Sequence, residues 1–474
     1  MTDYFLGGRH VPWIAVTLSI VATETSVLTF ISIPAVSYQG NMTFIQIALG
    51  YVIGRVVVAL VMIPAYYKGA METAYHFLGN RFGQKMRNVA SITFMATRLL
   101  ADGVRLFATA IPLALIIKGS GYFSGFSDKQ FYLMSIVLIG CITVLYTSFG
   151  GIKSVIWVDM IQWTIYVGGA ILACIIIMMK LPNGLNDVVE LTVKSGKTEW
   201  LYFGQDLPFS ELIKQPYTFM TAVFGGAVFT LASHGTDQLI VQRVLSCANV
   251  RSGQKAIAWS GLFVLFQFLL FLIVGLLLFT YYRGQDYQQL GVLRPDAIFP
   301  KFIVEVMPTG ISGLIVAALF AAAMSSLAGS LSSLSSSTVL DIYVPVFGRN
   351  KSQAQLLTIS RYITFIWAVI LMATAIVFIN LKGTVVETAL GIASYTYGGL
   401  LGIFLLGLFY KKASQKDAII GFVAALVTMT ILIQLVKLAW PLYTLTGSLT
   451  TIAVGTGSSI LFKRKTHHQE TTNE

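Results

Sequence analysis

Residues 311–343 read "ISGLIVAALFAAAMSSLAGSLSSLSSSTVLDIY", an apolar run that continues into a segment carrying eight serines. As a helix this stretch is long enough to cross about 30 Å of hydrocarbon. Small residues let membrane helices approach closely, and hydroxyls hydrogen-bond across the contact. Hydroxyl and carbonyl oxygens also suit hard cations. The stretch therefore predicts a membrane helix whose serines either pack against neighbours or hold a cation.

Eleven other apolar runs of helical length accompany this stretch along the 474 residues. The chain is 56% hydrophobic and 11% charged, whereas soluble domains have roughly 25% charged residues. The twelve predicted spans, numbered in chain order, are 12–37, 42–67, 89–117, 130–149, 153–181, 216–242, 252–282, 308–343, 355–380, 386–410, 416–436 and 439–462. The fold class expected is an all-α membrane protein.

The chain has a net charge of +12, and many of its basic residues lie in short loops. If span 1 starts on the cytoplasmic side, these loops all lie on the cytoplasmic side of the membrane. We therefore expect a multi-pass protein of the inner or plasma membrane, with both termini cytoplasmic and the loops 182–215 and 283–307 outside. Nucleic-acid binding would need a basic face with interleaved aromatics on a soluble domain, which the sequence lacks. The three cysteines have no metal-ligand spacing.

Span 1 places a carboxylate at membrane depth, in "SIVATETSVLTFISIPAV" at 19–36. Placing an ionisable side chain inside a membrane costs free energy, and such side chains usually mark a substrate or ion pathway or an ion-coupling site. Glu24 stands among hydroxyl residues that can satisfy a broken helix, and Pro34 follows. We expect a helix broken at an ion site. The alternative is a protonated Glu24 that hydrogen-bonds to a neighbouring helix.

Spans 3 and 5 carry further buried charges. Arg98, Asp102 and Arg105 are spaced four and three residues apart and can share one helix face. They form either a structural salt bridge or a network in which Arg105 faces an anionic substrate. Asp159 in span 5 either pairs with a cation or has a structural role, in which it caps the helix or pairs with a basic side chain.

Span 6, "GGAVFTLASHGTDQLIVQRVL" at 225–245, has glycines that would let the helix unwind where a ligand approaches. A lone histidine in an apolar helix, such as His234, more often packs than binds a ligand. Asp237 and Arg243 either close a gate or dock a loop.

The motifs together resemble the sodium:solute symporter family over essentially the whole chain. They are "DYFLGGR" (3–9), "ATETSVLTFISIPA" (22–35), "FGGIKSVIWVDMIQ" (149–162), "GTDQLIVQRVLS" (235–246), "AALFAAAMSSLAGSLSSLSSSTVLDIY" (317–343) and "LLGIFLLGLFYKKAS" (400–414). The resemblance implies a LeuT-type fold, with a core of two inverted five-helix repeats followed by two C-terminal helices.

This resemblance divides the chain as follows: a cytoplasmic N-terminal segment 1–11, a first repeat 12–181, an extracellular loop 182–215, a second repeat 216–410, two helices in 411–462, and a cytoplasmic tail 463–474. The family usually has one more helix before "DYFLGGR". We expect either that this sequence starts late or that the protein is a shortened form of the family. The ten-helix core does not include that helix.

The resemblance also implies a sodium site between spans 1 and 8. Its ligands would be the main-chain carbonyls of Ala22, Thr25 and Ala322 and the hydroxyls of Ser325 and Ser326. Proline symporters have an acidic residue at the position of Glu24, so this carboxylate is an expected electrostatic partner of the ion.

The chain departs from the family at two places. Members with a second sodium use the aspartate matched by Asp159 and two hydroxyls on span 8, where this chain has Ala328 and Gly329. A second sodium is therefore doubtful. Sugar symporters show aromatics where this chain has Ser233 and His234, which weakens a sugar specificity.

The expected function is sodium-coupled symport of a small polar solute that carries a carboxylate, such as a sialic acid, a monocarboxylate or an amino acid. The expected solute contacts are Glu24, Ser26, Thr29, Thr43, Arg105, Thr230, Ser233 and His234. Sodium, the solute and the lipid bilayer are the expected partners, and the protein is expected to be a monomer.

The alternative functions are a symporter for a neutral sugar or nucleoside, a proton-coupled transporter that titrates Glu24 or Asp159, and a receptor-like sensor. An enzyme is not expected, because no nucleophile and base or metal-ligand cluster appears at membrane depth.

Overall fold

The computed structural model describes residues 10–68, 74–119, 121–123, 125–146, 152–339, 342–343, 351–381 and 383–462. Its α-helices are Trp13–Glu24, Val27–Gln39, Ile45–Val57, Ile63–Lys68, Ala74–Phe82, Gln84–Gly119, Asp128–Tyr146, Ile152–Lys180, Leu185–Lys194, Phe209–Leu212, Gly225–Gly235, Gln238–Leu245, Val250–Tyr281, Ile298–Glu305, Thr309–Ser337, Gln353–Val377, Val385–Phe409, Gln415–Ile431 and Leu442–Leu461. Every one of the twelve predicted spans contains helix.

Nine helical spans among the described residues are individually long and apolar enough to cross a membrane. The bent pair Trp13–Glu24 and Val27–Gln39 makes a tenth. The other two predicted spans are also helical: span 6 is interrupted near its middle, and span 12 is Leu442–Leu461. The prediction of an all-α membrane protein is therefore confirmed.

Span 1 is broken at its centre, and its two halves meet at an angle of 64°. Thr25 leaves the helix with φ −83° and ψ 79°, and Ser26 is extended with φ −84° and ψ 177°. Serine is favoured at the residue that begins a helix, here the second half. Ser26 N donates to Glu24 O at 3.0 Å, so the helical hydrogen bond from Ser26 N to Ala22 O is not formed. The break thus frees backbone carbonyls at the middle of the span.

Span 6 is interrupted between Gly235 and Gln238. The Asp237 side chain begins the second part by accepting from Leu239 N at 2.9 Å. Gly235 lies against span 2, because a Cβ there would come within 2.3 Å of Met62 Sδ. A side chain at position 235 would therefore require the Met62 side chain to move.

The two broken spans lie inside the bundle. Twelve of the thirteen residues of Val27–Gln39 are buried, and this half packs against spans 3, 7 and 8. The first half, Trp13–Glu24, packs against spans 5 and 7, whereas span 8 packs against spans 3, 4, 5 and 9. Span 5 therefore contacts both the first half of span 1 and span 8.

The end of span 1 is closed by a lysine from the loop that precedes span 6. Lys197 Nζ donates to the carbonyls of Tyr38, Gln39 and Gly40 at 2.7, 3.2 and 2.9 Å, and it lies 4.2 Å from the centre of the Phe279 ring. A cation at a helix C-terminus complements the helix dipole and its free carbonyls. Burial nevertheless disfavours the ammonium form and lowers the pKa of Lys197 to about 8 from 10.5.

This pKa predicts that Lys197 makes the folded state more stable as the pH rises from about 8 toward about 10.5. Below this window both states hold the proton and the buried ammonium is fully penalised, whereas within it only the unfolded state keeps the proton. Thermal unfolding in detergent should show the midpoint of the wild type rising with pH relative to that of Lys197→Met. A constant difference between the two proteins across this window would contradict the prediction.

Candidate functional site

The break in span 1 presents main-chain oxygens toward span 5. Tyr166 Oη of span 5 donates to the Thr25 carbonyl at 2.8 Å, while Ala22 O has lost the helical bond from Ser26 N. The Thr25 hydroxyl is fully buried and has no hydrogen-bond partner among the described residues. The break therefore supplies oxygen atoms that a cation could use.

Span 8 is one continuous helix, Thr309–Ser337. Ala322 and Ser326 lie on it half-buried, and the helix packs against the second half of span 1 and against span 5. The side chain of Ser325 lies outside the described part of the chain. Ala328 is buried, and Gly329 is exposed with no atom near its missing side chain.

The carboxylate of Glu24 is paired with an arginine from span 2. Arg55 Nη2 forms a short contact with Glu24 Oε2, and Arg55 Nη1 donates to Ser260 Oγ of span 7 at 2.8 Å. Arg55 is fully buried, and the Glu24 side chain is 16% exposed. Through Arg55 the break in span 1 is thus joined to span 2 by an ion pair and to span 7 by a hydrogen bond. The charge of Glu24 is balanced by Arg55.

Several polar side chains of spans 2 and 6 surround this ion pair. His234 Nε2 lies 3.7 Å from Glu24 Oε2, and His234 Nδ1 lies 2.9 Å from Ser233 Oγ. The hydroxyls of Tyr51 and Thr230 are buried and, within the described ranges, have no hydrogen-bond partner. Buried polar groups are almost always paired with protein or water, so these two hydroxyls are available to a ligand or to water.

The charged residues of span 3 form an ion-pair network that also includes residues of spans 6 and 10. Arg105 Nη1 lies 2.8 Å from Asp102 Oδ1, and Arg98 Nη2 lies 3.4 Å from Asp237 Oδ2. Tyr397 Oη of span 10 donates to Asp237 Oδ2 at 2.7 Å. As their spacing predicts, the three charged residues of span 3 share one face, and Asp237 connects that face to the interruption in span 6.

Asp159 of span 5 is paired with a basic side chain, which was one of its expected roles. Arg243 Nη2 lies 3.3 Å from Asp159 Oδ2, and Ser19 Oγ donates to the same oxygen at 3.1 Å. Arg243 Nε also donates to Ser19 Oγ at 3.0 Å. These contacts join spans 1, 5 and 6 and use the carboxylate that a second sodium would need.

The expected solute contacts do not all lie together. Thr29 Oγ1 donates to the Glu24 carbonyl at 3.3 Å, so it lies at the break with Ser26. Thr43 lies beyond the end of span 1, where its hydroxyl donates to Asn41 Oδ1 at 2.6 Å and lines a surface pocket. It lies in the link between spans 1 and 2 because the chain leaves span 1 at Gln39 and re-enters helix at Ile45.

Arg55 and Tyr51 lie beside Glu24 in the structure but are not among the site residues expected from the sequence. Arg55 is a lone cation inside the apolar run of span 2, so the rule that identified Glu24 and Asp159 applies to it equally. Tyr51 stands four residues earlier and so shares a helix face with Arg55. No comparable signal distinguishes Tyr51 from other tyrosines of the chain.

Comparison with known protein families and solved structures shows which proteins this chain resembles. A profile of the sodium:solute symporter family matches residues 4–425. The sodium/sialic acid symporter SiaT of Proteus mirabilis (strain HI4320) is 28% identical over 468 residues, which are 97% of this chain and 90% of that protein.

Two solved structures share the fold. One is the substrate-bound outward-open state of a Na+-coupled sialic acid symporter, with 28% identity, a TM-score of 0.75, and coverage of 97% of this chain and 92% of that one. The other, a nucleobase-cation-symport-1 family transporter in a closed conformation, has a TM-score of 0.55 at 14% identity and covers 96% and 93% of the two chains. The expectation of a LeuT-type fold is confirmed, and the chain belongs to the sodium:solute symporter family.

Proposed function

We propose that this protein is a sodium-coupled symporter that imports a small carboxylate-bearing solute by alternating access. The observation that carries the proposal is the break of span 1 at Thr25 and Ser26, which leaves the Ala22 carbonyl without its helical partner. Membership in the sodium:solute symporter family supports sodium as the coupling ion. Broken helices whose free backbone groups line an ion site are the common design of such transporters.

The proposed sodium ligands are the carbonyls of Ala22, Thr25 and Ala322 and the hydroxyls of Ser325 and Ser326. The packing of span 8 against both span 5 and the second half of span 1 supports this assignment. Glu24 and Arg55 form an ion pair with no net charge, so Glu24 supplies no unpaired negative charge to the sodium ion. Because Asp159 is paired with Arg243, we propose a single sodium.

The proposed solute is a sialic acid or another small carboxylate. Arg105 supports this choice, since its Nε is buried and lacks a hydrogen-bond partner within the described part of the chain. SiaT and one of the two solved structures named above are sialic acid symporters. An arginine binds a carboxylate through two parallel hydrogen bonds.

A neutral sugar or nucleoside is the second candidate solute. The 2.8 Å contact between Arg105 Nη1 and Asp102 Oδ1 favours it, because a guanidinium that is already neutralised gains less from an anionic ligand. The buried hydroxyls of Tyr51 and Thr230 would hydrogen-bond either kind of solute.

We further propose that both termini are cytoplasmic and that the segments 182–215 and 283–307 are outside, in the inner or plasma membrane of the cell. The basic short loops support this orientation. One sodium ion that crosses about 100 mV with a neutral solute would release about 2.3 kcal/mol, in addition to its concentration term. With a monovalent carboxylate the two charges cancel, and only the concentration gradients drive uptake.

Thermal unfolding of the purified protein with N-acetylneuraminate, lactate, proline or glucose, in sodium and in potassium, tests the proposal. A ligand that binds only the folded state raises the midpoint, and we expect a carboxylate to do so only with sodium. Uptake into proteoliposomes should then follow the sodium gradient. Uptake that follows pH and ignores sodium would instead show proton coupling, and binding without counterflow would show a sensor.

Replacing Tyr51 with phenylalanine tests the solute site. The Tyr51 hydroxyl is buried without a partner in the described structure, so its removal should leave the unliganded protein equally stable or more stable. Loss of one hydrogen bond to the solute should raise the KM of uptake by about threefold to tenfold. Uptake kinetics and the midpoint of unfolding measure the two effects.

Tyr38→Phe is the matched control, since the Tyr38 hydroxyl donates to the Gln285 carbonyl at 2.6 Å, away from the breaks. This variant should lower stability by about 1 kcal/mol or more and leave the KM of the folded protein unchanged. If Tyr51→Phe lowers stability in the same way and spares the KM, Tyr51 has only a structural role.

A further inference from the structure

A polar pocket of about 210 Å³ lies where span 1 ends and span 6 begins. Its lining residues come from two links, one between spans 1 and 2 and one leading into span 6. They are Asn41, Thr43, Glu199, Tyr202, Gln215 and Tyr217. Pockets that bind drug-sized ligands measure roughly 300–1,000 Å³, so this pocket suits a smaller molecule.

The walls of the pocket are fixed by a buried glutamine behind them. Gln46, which is fully buried, donates from Nε2 to the Tyr217 carbonyl at 2.8 Å, and its Oε1 accepts from Tyr202 N at 3.4 Å. Met42 N donates to the Glu199 carbonyl at 3.0 Å, and Asn41 Nδ2 donates to Glu199 Oε2 at 3.2 Å. The two links are therefore held in one arrangement, which lowers the cost of binding.

The chemistry of the lining selects the ligand. The hydroxyls of Tyr202 and Tyr217 already donate to Asp206 and Glu387. The pocket therefore offers a ligand aromatic surface, acceptor oxygens and the amide of Gln215. Glu199 is the one charged lining residue, and the neighbouring Lys197 is already bound to the carbonyls at the end of span 1. The local charge is therefore negative and disfavours an anion.

We propose that this pocket binds a neutral sugar, separately from the sodium and solute sites at the breaks. The pocket is also joined to span 10, because Tyr217 Oη donates to Glu387 Oε1 and Thr384 Oγ1 donates to Glu387 Oε2 at 2.8 Å. A bound sugar bridges the end of span 1 and the start of span 6, and acts through Tyr217 on the start of span 10. In the proposed orientation it enters from outside the cell.

Calorimetric titration of the full-length protein in detergent with glucose and with N-acetylglucosamine tests the site. We expect saturable binding of at least one sugar with the same Kd in sodium and in potassium. Gln215→Ala should weaken this binding about tenfold. Gln215 is exposed, so its truncation leaves the fold intact. Gln288→Ala, at an exposed glutamine outside the pocket, should leave the Kd unchanged.

Arg105→Gln separates this site from the proposed transport site, because it should abolish binding of N-acetylneuraminate and spare the neutral sugar. Absence of saturable binding of both sugars to the wild type overturns the pocket proposal. Sugar binding that requires sodium and survives Gln215→Ala also overturns it and assigns the sugar to the transport site. Failure of N-acetylneuraminate to bind counts against the proposed solute alone.

Discussion

Arg55→Ala should lower the free energy of unfolding by about 3–5 kcal/mol, the usual result of removing one partner from a buried ion pair. Arg55 is fully buried and contacts Glu24 and Ser260. Its removal leaves the Glu24 carboxylate without its counter-charge at the break of span 1. We expect loss of folded protein, measured as the yield of monodisperse protein and the midpoint of thermal unfolding in detergent.

The double variant Glu24→Gln with Arg55→Gln removes both charges and should recover most of the lost stability, because no uncompensated charge remains. Arg251→Ala, at an exposed position at the start of span 7, is the matched single control and should be within about 0.5 kcal/mol of the wild type. A double variant as unstable as Arg55→Ala would show that the pair matters for packing and not for charge balance.

Ser325→Ala combined with Ser326→Ala should abolish sodium-dependent uptake and leave the protein folded. Both hydroxyls are proposed sodium ligands, and alanine is well tolerated in a helix. A loss of sodium affinity of about a hundredfold or more is expected when two oxygen ligands are removed. Uptake into proteoliposomes across a series of sodium concentrations measures this loss, and the unfolding midpoint without sodium checks the fold.

Ser312→Ala combined with Ser333→Ala is the matched control on the same helix, since neither position belongs to the proposed ion site. This control should keep the sodium dependence of the wild type. If the variant at 325 and 326 transports with an unchanged sodium dependence, the ion-site assignment is wrong, whatever the family resemblance implies.

The broken helix could be predicted from the sequence because its cause is local. A carboxylate among hydroxyl residues, with Ser26 suited to begin a helix, already marks the interruption between Glu24 and Val27. The charged face of span 3 could likewise be predicted, since residues three and four apart on a helix are neighbours. Both features depend on spacing within a single span.

The pairing of charges between spans could not be predicted in the same way. Glu24 and Arg55 are 31 residues apart, and Asp159 and Arg243 are 84 apart, so tertiary packing chooses each partner. The sequence limited Asp159 to a cation, a helix cap or a basic side chain, and the structure supplies Arg243. Thr43 is one of the solute contacts expected from the sequence, but the chain leaves span 1 before it, and Thr43 lines the surface pocket.

The ion pairs around the breaks have a consequence for how transport responds to voltage. Glu24 lies against Arg55, Asp159 against Arg243, Asp102 against Arg105, and Asp237 against Arg98. These pairs carry no net charge, so their movement during the cycle adds little transient charge. Because the protein returns to its starting state after each cycle, the cargo sets the net charge that moves. Transport of one sodium ion with a monovalent carboxylate would move no net charge across the membrane and would be driven by the concentration gradients only. Transport of one sodium ion with a neutral solute would carry a current. A current recording during uptake would therefore reveal the charge of the solute before its identity is known.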